Sequence, residues 1–206
     1  MSNRLCAIIS GGDFSPLCGI ENSDFVIACD KGLEYALKCG VKPDLFVGDG
    51  DSFSGEVPPD IKKLALPRKK DDTDTLAAVR YALKRGFRDI TLYCALGGRL
   101  DHTVANIQSA AFAAENGAFV RFCDEKNTLY VTGPRRITLN KRKGCSLSLF
   151  SLSDRLCGVT VSGAEYPLEN AELTNVFPVG VSNEWKDDVE ISFSEGTMLI
   201  VLSVIG

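Results

Sequence analysis

Two aspartates separated by a single glycine, Asp49 and Asp51, occur in the stretch GDGDSF. The apolar run DLFV leads directly into them, as a strand leads into a loop. Two carboxylates at this spacing repel each other unless a cation lies between them. The stretch does not fit an EF-hand loop, because Phe53 occupies the third ligand position and Ser54 the position of the required glycine. The pattern therefore favours Mg²⁺ held by a few carboxylates and by the phosphates of a substrate.

A second acidic cluster, RKKDDTDT at 68–75, immediately precedes a strongly helical pattern. One acid would be enough to cap that helix and to favour its dipole, which is the ordinary interpretation of acids in this place. Here three acids, Asp71, Asp72 and Asp74, follow three basic residues. Basic groups and backbone N–H groups suit phosphate, and acids suit a metal, so the cluster is equally consistent with a phosphate–metal site.

The third stretch, GGRLDH at 97–102, places two glycines beside charged residues. The glycines let the backbone approach a ligand closely, and Arg99 offers a bidentate fork for phosphate. We expect Asp101 to cap the following helix while also facing the site. His102 is the only histidine. Because a single histidine is more often structural, we expect it to have a supporting role at most.

Other motifs and the composition narrow the class of protein. The sequence has no GxxxxGK[ST] motif, no third glycine for a dinucleotide fingerprint and no nucleophile elbow. The net charge of −4 gives no basic footprint for nucleic acid, and no apolar stretch reaches the length of a membrane span or a signal peptide. The eight cysteines contain no CxxC pair, which predicts free thiols in a reducing cytoplasm, and a single histidine argues against zinc. A cytoplasmic, metal-dependent enzyme acting on phosphates is what these patterns favour.

Nearly continuous apolar runs in the first part of the chain predict five buried strands, which alternate with helical patterns that each end at a glycine. The predicted strands are 5–9, 25–29, 44–48, 90–94 and 119–123, and the predicted helices are 31–39, 74–85 and 102–116. This alternation predicts a Rossmann-like α/β domain with a mainly parallel sheet over residues 1–126. Such a sheet binds ligands at the carboxyl ends of its strands, where the sequence places Ser10, Gly11, Gly12 and Asp30.

After about residue 128 the pattern changes to short runs with period-two alternation, separated by turn residues, and no convincing helix remains. The predicted strands are 128–132, 136–139, 145–152, 158–163, 188–194 and 197–204. These runs predict an antiparallel β-sandwich over residues 127–206.

Taken together, these motifs resemble the thiamine pyrophosphokinase family over nearly the whole chain. The matching stretches are SGGD at 10–13, ACDKG at 28–32, KPDLFVGDGDS at 42–52, KKDDTDT at 69–75, GGRLDHTVAN at 97–106 and GVSN at 180–183. The resemblance implies an α/β catalytic domain for ATP and Mg²⁺, a β-sandwich for thiamine binding and dimerisation, and a homodimer with shared active sites. It also implies transfer of the β,γ-pyrophosphoryl group of ATP to the hydroxyl of thiamine, giving thiamine diphosphate and AMP.

Given this resemblance, the charged and glycine-rich motifs have expected roles. The residues expected to hold Mg²⁺, directly or through water, are Asp49, Asp51 and Asp74. Lys70 and Arg99 would neutralise charge on the transferred and leaving oxygens, and either Asp71 or Asp101 would accept the proton of the thiamine hydroxyl. The residues expected to contact the nucleotide are Ser10, Gly11, Gly12, Asp30, Gly97, Gly98 and His102.

The second substrate makes its own demand on the sequence. Thiamine is a cation with two flat rings, so its pocket should offer an aromatic face and hydrogen-bond partners. By the resemblance, Ser182 and Asn183 contact thiamine from the β domain. The only tryptophan, Trp185, follows them in a polar setting. We expect it to stack on thiamine, although its ordinary role would be that of a core aromatic.

Three other functions share parts of this pattern. A non-catalytic module could use the same acids to sense Mg–ATP, and a kinase-like enzyme of the same fold could act on another vitamin or a pterin alcohol. A metal-dependent phosphohydrolase could use similar aspartates to activate water. The stretch GVSN favours thiamine, and a hydrolase would not need a separate β domain with an aromatic pocket.

Overall fold

The computed structural model describes residues 4–48, 57–64 and 72–205. The chain divides into two compact units, residues 1–125 and 126–206. The division expected from the sequence, between 126 and 127, lies one residue away. The strands of the first unit pair in parallel, and those of the second unit pair antiparallel.

The first unit is a parallel sheet with helices between its strands. Its elements are β1 (Leu5–Ile9), β2 (Phe25–Cys29), α1 (Gly32–Lys38), β3 (Leu45–Val47), β4 (Lys62–Leu64), α2 (Asp74–Lys84), β5 (Asp89–Tyr93), α3 (Leu100–Glu115) and β6 (Phe119–Cys123). The strand order is β4-β3-β2-β1-β5-β6. The chain therefore builds outward from β1 on one side, and after α2 it returns to place β5 on the other side. The carboxyl ends of β1 and β5 flank this switch point, which is where α/β sheets bind ligands.

These strands form where the sequence is apolar without interruption, because helices cover both faces of the sheet. Residues 6–9 of β1 and residues Ile90 and Leu92 of β5 have no exposed surface. Cys6 pairs with Phe25 of β2 and with Ile90 of β5, so the three strands end together at one edge of the sheet. The prediction of a mainly parallel α/β domain is confirmed.

The helix α2 packs through small side chains. Its buried residues are Thr75, Ala77, Ala78, Val79 and Ala82. Small side chains let a helix approach its neighbours closely, and this brings the first turn of α2 near the end of β1. None of the helices in the described ranges is long and apolar enough to cross a membrane.

The second unit consists of two antiparallel sheets. Its strands are β7 (Asn127–Thr132), β8 (Arg136–Leu139), β9 (Cys145–Ser151), β10 (Arg155–Ala164), β11 (Leu168–Thr174), β12 (Trp185–Ser192) and β13 (Met198–Val204). One sheet contains β7, β13 and β9 in that order, and the other has the order β11-β10-β12-β8. Alternating buried residues of both sheets, such as Leu147, Val189 and Ile200, form the core. The antiparallel β fold predicted for this half is confirmed.

The sequence pattern missed two strands, β4 and β11. The two lysines of β4 are exposed, and most residues of β11 are exposed or half-buried. Both strands lie at the edge of a sheet. Edge strands bury little surface and are often charged, so they lack the apolar run by which a strand is recognised.

No disulfide joins any of the eight cysteines, as the sequence predicted, but only three of the thiols are buried. Cys6, Cys29 and Cys94 are buried, whereas Cys18 and Cys39 are exposed. Burial raises the pKa of the Cys6 thiol to about 12. The buried thiols therefore act as small apolar groups of the core.

Candidate active site

A cleft of about 370 Å³ opens at the carboxyl ends of β1 and β2. Its lining residues are Ser10, Gly11, Gly12, Cys29, Asp30, Lys31, Thr73, Asp74, Thr75, His102, Ala105 and Asn106. Six of the residues assigned to the site from the sequence lie in this cleft, and they come from four separate stretches of the chain: Ser10, Gly11, Gly12, Asp30, Asp74 and His102.

The loop after β1 forms one wall and is fastened to the loop after β5. The Gly12 amide donates to the Cys94 carbonyl at 2.8 Å, and the Asp13 amide donates to the Leu96 carbonyl at 3.1 Å. A Cβ atom on Gly12 would lie 2.7 Å from the Cys94 oxygen and 2.8 Å from the Leu96 oxygen, so only glycine fits. The Asp13 carboxylate accepts a bond of 2.9 Å from the Gly98 amide. Asp13 therefore holds two loops together.

Asp30 follows β2 in a strained backbone conformation. Its φ is 48°, a left-handed value that is uncommon for a residue with a side chain. Its amide donates to the Val47 carbonyl at 3.2 Å, and a Cβ atom on Gly48 would lie 2.6 Å from the Asp30 Oδ1. Such strain costs on the order of 1 kcal/mol and is concentrated at functional sites in proteins. The backbone of Val47 and Gly48 thus holds Asp30 at the edge of the cleft.

The first turn of α2 also lines the cleft. The Thr73 side chain caps this helix by accepting a bond of 3.1 Å from the Leu76 amide. The ordinary interpretation of the cluster, in which an acid caps the helix, does not apply to the two acids described: Asp72 forms an ion pair of 3.2 Å with Arg80, and Asp74 is the first helical residue. Capping accordingly does not explain why Asp74 lies in the cleft.

Two buried polar contacts hold the walls in place. The hydroxyls of Ser10 and Thr75 are 3.0 Å apart, which joins the end of β1 to the first turn of α2. The side-chain amide of Asn106 donates to the Ala95 carbonyl at 2.8 Å, which joins α3 to the loop after β5. His102 is exposed and lines the cleft one turn before Asn106. These contacts fix the cleft before any ligand arrives.

Arg99 and Asp101 pair with each other at the start of α3. Two bonds of 3.1 and 2.5 Å join the guanidinium to the carboxylate, and both side chains are exposed. Arg99 is the N-cap residue of α3 and Asp101 lies in its first turn, so the prediction that Asp101 caps this helix is wrong. The hydrogen bond from Arg99 lowers the pKa of Asp101. Neither residue is among those that line the cleft, nor are Gly97 and Gly98.

Four other predicted residues lie outside the described residues: the metal ligands Asp49 and Asp51, and the catalytic Lys70 and Asp71. Across the described ranges, no group of three or more metal-binding side chains comes together. Asp30 and Asp74 do line the same cleft.

Six residues that line the cleft were not predicted from the sequence: Cys29, Lys31, Thr73, Thr75, Ala105 and Asn106. Thr73 lies between Asp72 and Asp74, and because aspartate is also a common N-cap residue, the sequence did not single out the threonine. Lys31 directly follows Asp30 after a predicted strand, and this position at a strand end was the signal that could have identified it.

The second unit carries a separate apolar groove of about 320 Å³. Its lining residues are Leu149, Tyr166, Leu168, Val179, Gly180, Val181 and Asn183. Asn183 is buried, and its amide group is bonded to the backbone: Oδ1 accepts from the Tyr166 and Glu184 amides, and Nδ2 donates to the Tyr166 carbonyl at 2.8 Å. Asn183 therefore shapes the groove by holding Tyr166 beside it.

The other two residues expected to bind thiamine are Ser182 and Trp185. In sequence they are close to Asn183, which lines this groove. Ser182 has a left-handed φ of 58°, and its amide donates to the Ser148 hydroxyl at 3.0 Å. Trp185 begins β12, is half-buried, and donates its indole N–H to the Cys145 carbonyl at 2.9 Å. Neither residue is among those lining the groove, whose exposed aromatic side chain is that of Tyr166.

Comparison with known proteins connects both units to one enzyme family. A family model described as thiamin pyrophosphokinase, catalytic domain, matches residues 19–120, and one described as thiamin pyrophosphokinase, vitamin B1 binding domain, matches residues 135–198. Thiamine pyrophosphokinase of Bacillus subtilis is 28% identical over 184 residues, which cover 86% of this chain and 86% of that protein. Thiamin pyrophosphokinase 1 of Caenorhabditis elegans is 25% identical over 160 residues, covering 69% of this chain and 62% of that protein.

Solved structures give the same likeness. The crystal structure of the Bacillus subtilis thiamine pyrophosphokinase superposes with a TM-score of 0.88 at 26% identity, covering 98% of this chain and 99% of that chain. The thiamin pyrophosphokinase of Geobacillus thermodenitrificans gives a TM-score of 0.83 at 27% identity, with 97% of each chain covered. The likeness thus extends over both units.

Proposed function

Because the chain belongs to the thiamin pyrophosphokinase family, we propose that it transfers the pyrophosphoryl group of ATP to the hydroxyl of thiamine. The products are thiamine diphosphate and AMP. The observation that carries this proposal is the cleft of the first unit, which gathers glycines, carboxylates and the start of a helix at the carboxyl ends of β1 and β2. This is the place and the chemistry with which an α/β sheet binds a nucleotide.

The walls of the cleft supply the groups that hold the triphosphate. The backbone of Ser10, Gly11 and Gly12 runs along one wall without bulky side chains, so a phosphate or ribose can approach it closely. The first turn of α2 faces it from Thr73, and the N-terminal end of a helix favours negative charge. Pyrophosphoryl transfer depends mainly on such positioning and on charge neutralisation.

We propose that Mg²⁺ accompanies the nucleotide, held by Asp74 together with Asp49 and Asp51, which lie outside the described residues. The residue types of the cleft fit this ion, because Asp30 and Asp74, which both line it, are residues with carboxylate side chains. Mg²⁺ in nucleotide sites is usually held by one or two carboxylates and by the phosphates themselves, so no larger cluster is needed. The bound ion would neutralise charge on the phosphate oxygens.

The proton of the thiamine hydroxyl needs an acceptor, and Asp71 and Asp101 are the two candidates. Asp71 lies outside the described residues. The ion pair with Arg99 lowers the pKa of Asp101, which makes this carboxylate a weaker base. Asp101 can serve as the base only if Arg99 turns away towards the phosphates, as its predicted role in charge neutralisation would require.

We propose that thiamine binds at the apolar groove of the second unit, within the region that matches the vitamin B1 binding model. Tyr166 is 66% exposed on this groove and offers the aromatic face that a cationic ring requires. Asn183 holds Tyr166 in place. A polar contact between Ser182 and thiamine remains a prediction. Stacking of Trp185 on thiamine also remains a prediction. The indole N–H of Trp185 donates to the Cys145 carbonyl.

We further propose a homodimer in which the second unit of one chain completes the cleft of its partner. Apolar side chains exposed near the groove support this proposal, since Val176 is 85% and Phe177 68% exposed. Exposed apolar side chains that lie together mark sites of association. The free thiols support a reducing compartment, and we propose the cytoplasm.

The decisive experiment is incubation of the chain with Mg–ATP and thiamine, followed by mass detection of the products. The proposal predicts equal amounts of thiamine diphosphate and AMP, formed only when thiamine is present. AMP formed without thiamine would instead indicate a hydrolase, and ATP binding without turnover would indicate a sensing module. Turnover with a different vitamin or a pterin, and none with thiamine, would indicate a related enzyme for another alcohol.

The assignment of Asp74 to the metal site can be tested with a matched pair of substitutions. Asp74→Asn removes a carboxylate from the cleft, and we expect a higher Mg²⁺ requirement and a kcat reduced about a hundredfold. Asp72→Asn removes a neighbouring acid that is paired with Arg80 outside the lining of the cleft, and we expect near wild-type kinetics. Equal effects of the two substitutions would contradict the assignment of Asp74.

The shared site can be tested by mixing two inactive variants, Asp74→Asn and Tyr166→Ala. In a homodimer with shared sites, mixed dimers contain one intact site, so about a quarter of wild-type activity should return. No recovery after subunit exchange, verified by mass spectrometry of the mixed dimer, would show that each chain works alone.

A further inference from the structure

Lys31 extends from the end of β2 into the cleft, beside the glycine loop. A Cβ atom on Gly11 would lie 3.5 Å from the Lys31 Cβ, so this side chain leaves the backbone directly beside the loop. Lys31 is exposed and lines the cleft. Among the described residues of the cleft lining, the basic side chains are Lys31 and His102. A lysine side chain is positively charged at neutral pH.

The Lys31 ammonium is held over an aromatic ring. Its Nζ lies 5.3 Å from the centroid of the Tyr35 ring, within the range of a cation–π interaction. Tyr35 itself is fixed: it is buried, its hydroxyl donates to the Gly12 carbonyl at 2.9 Å, and Phe14 packs edge-on at 5.3 Å between ring centroids. The glycine loop and the lysine are therefore positioned by the same tyrosine.

The electrostatic surroundings keep this ammonium charged and available. Hydrogen bonding with the Tyr35 side chain raises the pKa of Lys31. In the described part of the chain, no carboxylate forms an ion pair with Lys31. Lys38 at the other end of α1 differs, because it pairs with Glu34 at 2.5 Å. Arg99, the guanidinium expected from the sequence to bind phosphate, is paired with Asp101 and does not line the cleft.

We propose that Lys31 binds the phosphate chain of the nucleotide and is a determinant of ATP affinity. This inference rests on the proposed function, because it takes the cleft to be the nucleotide site. The ammonium adds a positive charge at the end of β2, in the cleft that the start of α2 also lines. Tyr35 limits the conformations of the side chain, so less entropy is lost when phosphate binds.

The test is titration calorimetry of Mg–ATP in the absence of thiamine, with Lys31→Met and the matched control Lys38→Met. We expect Lys31→Met to bind ATP about tenfold more weakly, because a charge-assisted bond to phosphate is lost. Raising the salt concentration should narrow this difference. Lys31→Arg should retain affinity within about threefold, and Lys38→Met should match the wild type. The thermal midpoints should all agree, since both lysines are exposed.

Equal ATP affinity of Lys31→Met and the wild type would overturn the inference. A Lys31→Met variant with a raised KM for thiamine and unchanged ATP binding would also overturn it, because the charge would then serve the other substrate. The assay contains no thiamine, so it is independent of turnover. A wild-type chain that binds ATP through Lys31 but forms no thiamine diphosphate would contradict the proposed function and leave the inference standing.

Discussion

Replacing Gly12 by alanine should push apart the two loops that meet at one wall of the cleft. The new Cβ atom would lie 2.7 Å from the Cys94 oxygen, whereas ordinary contact begins at about 3.4 Å, so the loops must separate by about 0.7 Å. The bonds from the Gly12 and Asp13 amides, now 2.8 and 3.1 Å, would then lengthen to roughly 3.5 and 3.8 Å, beyond hydrogen-bonding range.

The size of the effect follows from these contacts. Each lost backbone bond costs about 1 kcal/mol, and the residual overpacking adds about 1 kcal/mol more. The free energy of unfolding should therefore fall by about 3 kcal/mol, which lowers the thermal midpoint by roughly 6–12 °C in a chain of this size. The displaced wall should also reduce kcat/KM for ATP on the order of tenfold to a hundredfold.

Gly11→Ala is the matched control from the same loop. Its Cβ atom would first meet the Lys31 Cβ at 3.5 Å, which is an ordinary contact. We expect its thermal midpoint to stay within about 2 °C of the wild type. The two variants can be compared by scanning calorimetry and by steady-state kinetics. If Gly12→Ala melts at the same temperature as Gly11→Ala, the loop contact does not constrain the cleft as we argue.

Three further predictions concern a helix cap, the thiols and the groove. Thr73→Ala should lower the free energy of unfolding by about 1 kcal/mol, since the cap of α2 is lost, and Thr73→Ser should restore it in chemical denaturation. Iodoacetamide at pH 8 should label Cys39 in the native chain and spare Cys6, which is buried and has a pKa raised to about 12; peptide mass mapping would reveal any contrary labelling. Asn183→Ala should destabilise the fold by about 1–3 kcal/mol, because partly buried backbone groups of Tyr166 lose their partners, and an unchanged denaturation midpoint would refute this.

The sequence predicted the fold well where burial alone determines structure. β1, β2 and β6 have the bounds read from their apolar runs, because a strand covered on both faces must be apolar throughout. The rule that parallel strands present ligands at their carboxyl ends placed Ser10 and Asp30 correctly in one cleft. Edge strands such as β4 were not predicted, because exposed strands do not have a continuous apolar run.

Side-chain partners could not be predicted in the same way. Arg99 was expected at the phosphates, yet it pairs with Asp101 two residues away, a choice that depends on the local backbone of an exposed loop. The cap of α2 is Thr73, which has the extended backbone required at an N-cap. The placement of Lys31 depends on Tyr35, whose position is set by a bond to the glycine loop across the fold.

Isotope tracing of the transferred group tests the central claim most directly. The wild-type chain would be incubated with Mg²⁺, thiamine and ATP carrying heavy oxygen at the nonbridging positions of its β-phosphorus, and the products analysed by mass spectrometry. Transfer of the pyrophosphoryl group predicts that the label appears in thiamine diphosphate and that AMP is unlabelled. ADP as the nucleotide product, or labelled pyrophosphate released without thiamine diphosphate, would contradict the account.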